Sequence, residues 1–209
     1  DDLHRQFIQV IFESHAAGNI DLQVAVQLAV VARFYERIGD RANAEIHYRR
    51  AVQLAPKSGA TNNNYGTFLC AEGNYAEADK YFERALTVPF YETPAVAWAN
   101  RGSCALKAGQ AELAEQYLRT AVQKDPNSAQ ALYDLASILA DRKDYFRARA
   151  FAQRYEALAG DSPESLALGM RIELGLGDAA AVKDYRSRLI NGFPDSAQAQ
   201  ALETSEPPR

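Results

Sequence analysis

The residues with the means to do chemistry are few and scattered. The histidines are His4, His15 and His47. None stands at metal-ligand spacing from a second ligand, and His47 reads as a helix-surface residue. There is no glycine-rich phosphate loop, no nucleophile elbow and no cysteine–histidine pairing. Carboxylates such as Glu36, Asp134 and Asp141 read as solvated helix faces. No catalytic group, metal site or cofactor site is expected, so the chain reads as a non-enzyme. Two groups remain. One is a set of amides, Asn62, Asn63, Asn64 and Asn100; the other is the cysteine pair Cys70 and Cys104. What either does depends on the elements that carry it.

Composition narrows those elements. The chain has 209 residues, 47% hydrophobic and 24% charged, which are ordinary globular values. Alanine, leucine, glutamate and arginine dominate, a mixture that favours helix. Net charge is −4, without the basic footprint of a nucleic-acid binder. No apolar run approaches the roughly 18 residues of a membrane span. Asp1-Asp2-Leu3-His4 shows neither the basic nor the apolar region of a signal peptide.

The chain repeats. Gly39, Gly73 and Gly109 are each followed five residues on by Ala44, Ala78 and Ala114. Tyr48, Phe82 and Leu118 come next, then Ala51, Ala85 and Ala121, then Pro56, Phe90 and Pro126. The first step is 34 residues and the second 36, with the two extra residues in the proline-flanked stretch 89–94. Tyr145 and Ala148 mark a fourth unit; Gly177, Leu189 and Pro194 mark a fifth.

Each unit reads as two helices. Small residues (Gly66, Gly102, Ala44, Ala78, Ala114) sit where the two cross, and large ones (Tyr35, Trp98, Phe82, Leu118) fill the gap to the next pair. Glycine closes the first helix and proline ends the second. This pattern predicts an all-α tetratricopeptide-repeat fold, a right-handed superhelical solenoid of about five to six helix-turn-helix units. The units lie near 25–58, 59–92, 95–128, 129–162 and 163–196, in one domain over 1–203. Residues 3–17 read as an amphipathic helix belonging to a partial first unit, 197–203 as a capping helix and 204–209 as a disordered tail.

The frame gives the special residues positions. Asn64 and Asn100 share one repeat position on the first helices, expected on the concave face. They bind either the backbone of an extended partner peptide or backbone groups between helix pairs. Other candidates for that face are Asn63, Thr67, Ser103, Lys107, Tyr133 and Ser137, with Arg33, Glu36 and Arg171. Their mixed charge makes no dense basic clamp for a carboxylate terminus. Cys70 and Cys104 fall on the first helices of consecutive units. They form a disulfide, or they stay reduced as small buried apolar groups.

The connected string Asn62-Asn63-Asn64-Tyr65-Gly66-Thr67-Phe68-Leu69-Cys70, with Gly73 and Tyr75-Ala76-Glu77-Ala78, resembles the central signature of the PilF/PilW family. So do Asn100-Arg101-Gly102-Ser103-Cys104, Tyr145 with Ala148-Arg149, the segment 165–171 and Phe193-Pro194-Asp195-Ser196. These are tetratricopeptide lipoproteins of type IV pilus biogenesis. The resemblance implies a periplasmic protein tethered to the outer membrane by an N-terminal lipid. Its partner would be the secretin subunit, whose localisation and multimerisation it would assist, together with other pilus-assembly proteins. Pilus formation and twitching motility would depend on it. No lipobox cysteine precedes Asp1 here, so membrane contact is implied by the family alone. An oxidising periplasm suits a Cys70–Cys104 disulfide. The alternative is a general tetratricopeptide peptide-binding adaptor unrelated to pili.

Overall fold

A computed structural model of the chain describes residues 20–204. The amphipathic helix expected over 3–17, with His4 and His15, lies outside the described residues, as does the expected tail beyond Thr204. Among the described residues the structure is eleven α-helices. They are α1 (Ile20–Arg37), α2 (Arg41–Leu54), α3 (Gly59–Ala71), α4 (Tyr75–Thr87), α5 (Pro94–Lys107), α6 (Ala111–Lys124), α7 (Ala129–Asp141), α8 (Tyr145–Ala159), α9 (Pro163–Leu176), α10 (Ala179–Gly192) and α11 (Ala197–Thr204). None is long and apolar enough to cross a membrane.

Local chemistry sets the helix ends. Asp40, Ser58, Asp144 and Asp178 each accept a hydrogen bond from a first-turn amide, and Ser162 with Ser165 forms a reciprocal capping box. Gly39, Gly73, Gly109 and Gly177 hold the left-handed turns expected of them, with φ between 76° and 80°. The fourth unit has no glycine there. Lys143 takes the same turn at φ 63°, which is why that unit's signal is weak in the sequence. The two inserted residues lie in the loop between α4 and α5, as expected. Helix α1 begins at Ile20, five residues ahead of the expected boundary at 25, because Ile20-Asp21-Leu22-Gln23-Val24 contains no helix breaker.

The chain divides into two compact units, one ending at Ala108 and the other starting at Gly109. In the first, α1 packs on α2 and α3 on α4, with α5 against α4. Its core holds Ala44, Tyr48, Tyr65, Phe68, Ala78 and Phe82. Helix α3 comes close to α4 because Gly66 has no side chain: a Cβ there would stand 3.0 Å from the Phe82 ring. In the second unit α7 packs on α8 and α9 on α10. Ala136, Leu139, Ala148 and Ile172 form one core cluster, and Leu166, Tyr185, Leu189 and Ala199 another.

Candidate partner-binding face

Six of the candidate residues lie on α3 and α5 of the first unit. Adjacent first helices meet along a seam there. Asn63 is 6% exposed, and its Oδ1 accepts a hydrogen bond from Asn100 Nδ2 at 3.1 Å. Asn63 is therefore not a groove residue open to a partner. Its amide faces the neighbouring helix and fixes the register of α3 against α5. Asn100 is committed to the same bridge and is half-buried. The bond runs between side chains, not to the backbone groups considered above. A few residues along the seam, Cys70 and Cys104 are joined by a disulfide with Cα atoms 5.8 Å apart.

On this seam sit the residues that face outward. Thr67, one turn beyond Asn63, is exposed, and its hydroxyl donates to the Asn63 carbonyl at 3.0 Å. Lys107 is exposed at the end of α5, while Asn64 and Ser103 are half-buried. The third asparagine serves the fold. Asn62 is fully buried and donates to the carbonyls of Pro56 and Ser58 at 2.9 and 2.8 Å, closing the bend between α2 and α3.

Tyr133 and Ser137 lie on α7, in the second unit, and are half-buried. The Tyr133 ring packs on Tyr155 at 5.3 Å, and burial, with Glu164 nearby, raises its phenol above the ordinary value. Two further groove candidates are engaged by other side chains of their own unit. Glu36 accepts the Tyr48 hydroxyl at 2.5 Å, and Arg171 pairs with Asp141 at 2.6 Å. Burial and then Glu36 push the Tyr48 phenol up. His47 stacks on Tyr35 at 5.3 Å, and burial lowers its pKa. No cluster of three or more histidine, cysteine or carboxylate groups is placed to hold a metal among the described residues.

Two features escaped sequence reasoning. Phe90 is wholly exposed at φ 59°, while its neighbour Tyr91 lies against Gly59, where no Cβ blocks the ring. The two-residue insertion was the available signal. Arg101 grips Asp79 with two bonds, at 2.6 and 2.9 Å, and its guanidinium lies 5.7 Å from the Trp98 ring. That places a fixed cation and an indole beside the seam.

The repeats have counterparts in known proteins. Tetratricopeptide-repeat models match residues 28–58, 66–129 and 105–172. The crystal structure of PilW, described as a widely conserved type IV pilus biogenesis factor, is 32% identical. That match has a TM-score of 0.77 and covers 86% of this chain and 82% of PilW. The chain belongs to the PilF/PilW family of tetratricopeptide-repeat proteins. PilF, a type IV pilus assembly protein of Pseudomonas aeruginosa, is 23% identical over 91% of this chain and 75% of its own length. The solved structure of PilF shares the fold at a TM-score of 0.80, with 22% identity and 99% of each chain covered. An uncharacterized Haemophilus influenzae protein is 34% identical over 107 residues, and the match spans 51% of this chain and 60% of that relative. This PilF/PilW-family chain shares its fold with both solved structures.

Proposed function

We propose that the chain is a non-catalytic scaffold of type IV pilus biogenesis. It acts in the periplasm, held at the outer membrane by an N-terminal lipid in its full-length form. There it helps the secretin pore localise and multimerise, and it supports pilus stability. The observation that carries this reading is the 32% identity to PilW over most of both chains. The Cys70–Cys104 bond supports an oxidising compartment.

The physical role is that of a pre-formed surface. The covalent and amide links hold α3 and α5 in one arrangement before any partner arrives. A partner segment that docks there pays little for ordering its receptor. Thr67, Asn64, Ser103 and Lys107 offer donors and acceptors on this face, and Tyr133 and Ser137 offer a second contact region in the other unit. The test is the state of the secretin in cells lacking the protein, read by blotting unboiled outer-membrane fractions. Loss of the high-mass multimer, restored by complementation, is the expected result. Persistent multimers with normal surface pili would overturn the proposal.

A further inference from the structure

The connection between α4 and α5 holds an aromatic ring out in water. Phe90 is 100% exposed, the most exposed of the large apolar side chains among the described residues. It stands at the repeat position held by Pro56 and Pro126 in other units. It also sits at φ 59°, a left-handed conformation that suits glycine and costs a residue with a Cβ. Lys143, at φ 63°, carries a charge that water solvates; a phenyl ring in water gains nothing.

Local chemistry fixes where that ring points. The Tyr91 N–H donates to the Val88 carbonyl at 3.4 Å and closes a turn with Pro89 and Phe90 at its centre. Proline followed by a residue of positive φ is the type II pattern, whose second central position ordinarily holds glycine or asparagine. The next residue clamps the turn from inside. The half-buried Tyr91 ring lies on Gly59 at the start of α3, where a Cβ would stand 2.5 Å from it. Pro94 opens α5 soon after. Tyr91 thus packs inward, and Phe90, one residue earlier, is held outward.

A bare aromatic ring on a clamped turn can be buried by a partner with little loss of freedom on this side. We propose that Phe90 is an anchor that seats in an apolar pocket of a protein partner in pilus assembly. Residues 85–97 contain one charge, the exposed Glu92, and no lysine or arginine. The matching pocket therefore has a basic rim. The same composition disfavours a membrane, because segments that enter anionic lipid carry cations. The anchor adds a contact to the α3–α5 face, since it precedes α5 at the end opposite Cys104 and Lys107. The inference rests on the pilus reading.

The experiment complements a strain lacking the protein with the parent, Phe90→Gly, Phe90→Leu or Glu92→Lys. Surface pili are counted, and each purified chain is melted. Glycine relieves the turn, so Phe90→Gly should melt at or above the parent. It should nonetheless lower pilus number by on the order of tenfold. Phe90→Leu, still apolar, should keep most pili, and Glu92→Lys should lose part of them. If the deletion strain loses its pili and Phe90→Gly restores them in full, this inference is overturned and the pilus reading stands. Normal pili in the deletion strain strike the pilus reading itself, and this inference with it. A fall in melting that tracks the loss of pili makes Phe90 a structural residue and also overturns the proposal. Flotation with phosphatidylethanolamine–phosphatidylglycerol vesicles tests the rival occupant. Binding by the parent and not by Phe90→Gly would assign the ring to lipid instead.

Discussion

The two units join their first helices by different chemistry. In the first, α3 and α5 are held by the Cys70–Cys104 bond and by the buried Asn63–Asn100 amide bridge. In the second, α7 and α9 meet through Arg171 and Asp141, both about half exposed. Other arginines there reach carboxylates distant in the chain: Arg142 to Glu115, Arg149 to Glu173, and Arg188 to Asp161. A covalent link and a buried amide are indifferent to ionic strength, whereas exposed ion pairs are screened by it. The same repeat frame therefore gives one unit a seam that answers to reductant and another a seam that answers to salt. The stiffer seam carries the proposed binding face, where pre-organisation has the most value.

The comparison breaks most severely at the cores. Phe82→Ala in the first unit is expected to cost about 3–5 kcal/mol, and Leu189→Ala in the second about 2–5 kcal/mol. Hydrogen exchange should place each loss in its own unit. Equal loosening of both units by either variant would mean that they do not act separately.

Replacing both cysteines by serine should cost about 2–4 kcal/mol through the freed unfolded chain. The loss should appear in α3 and α5 and spare α7 to α10. A reductant titration of the parent should reproduce it, and equal effects in both units would count against the contrast.

Asn100→Ala leaves Asn63 buried without its partner. Chemical denaturation should show a loss of about 1–3 kcal/mol, unaffected by added salt.

Glu115 contributes an acid response in the second unit. Burial alone would raise its pKa, but Arg119 and Arg142 outweigh burial and hold the carboxyl below its ordinary 4.5. A carboxyl depressed by folding stabilises fully above its unfolded value and loses that contribution as pH falls through the folded one. The melting difference between the parent and Arg142→Ala should therefore be constant near neutrality and shrink on acidification below 4.5. Glu156, raised by burial, acts in the opposite direction and cancels in this difference. The smallest effect is Asp141→Ala, expected to cost less than about 1 kcal/mol and to vanish at high salt.

Much of the repeat architecture was legible because it follows from steric needs that recur at fixed spacing. Glycine at 39, 73 and 109, alanine at 44, 78 and 114, and the large residue four positions later mark the turns and crossings directly. Lys143 left no such mark, since a lysine in a left-handed turn resembles any other lysine. The candidate face was legible only in outline. Three consecutive asparagines are turned about 100° apart on a helix, so the string 62–64 announces an amide cluster without saying which member points inward. The structure turns Asn62 toward the bend and Asn63 toward the seam. The pairs Arg142–Glu115, Arg149–Glu173 and Arg188–Asp161 join residues far apart in the chain, and no local pattern couples them.

We propose that a protein partner docks on the outward face of α3 and α5 during pilus assembly. The most direct measurement complements a strain lacking the protein with Thr67→Arg/Lys107→Glu, two exposed positions outside the core. Secretin multimers are blotted from unboiled outer-membrane fractions, and the purified variant is melted beside the parent. Docking on this face predicts unchanged melting, normal protein levels and loss of the multimer. A stable variant that restores multimers and pili to the parent level would contradict it.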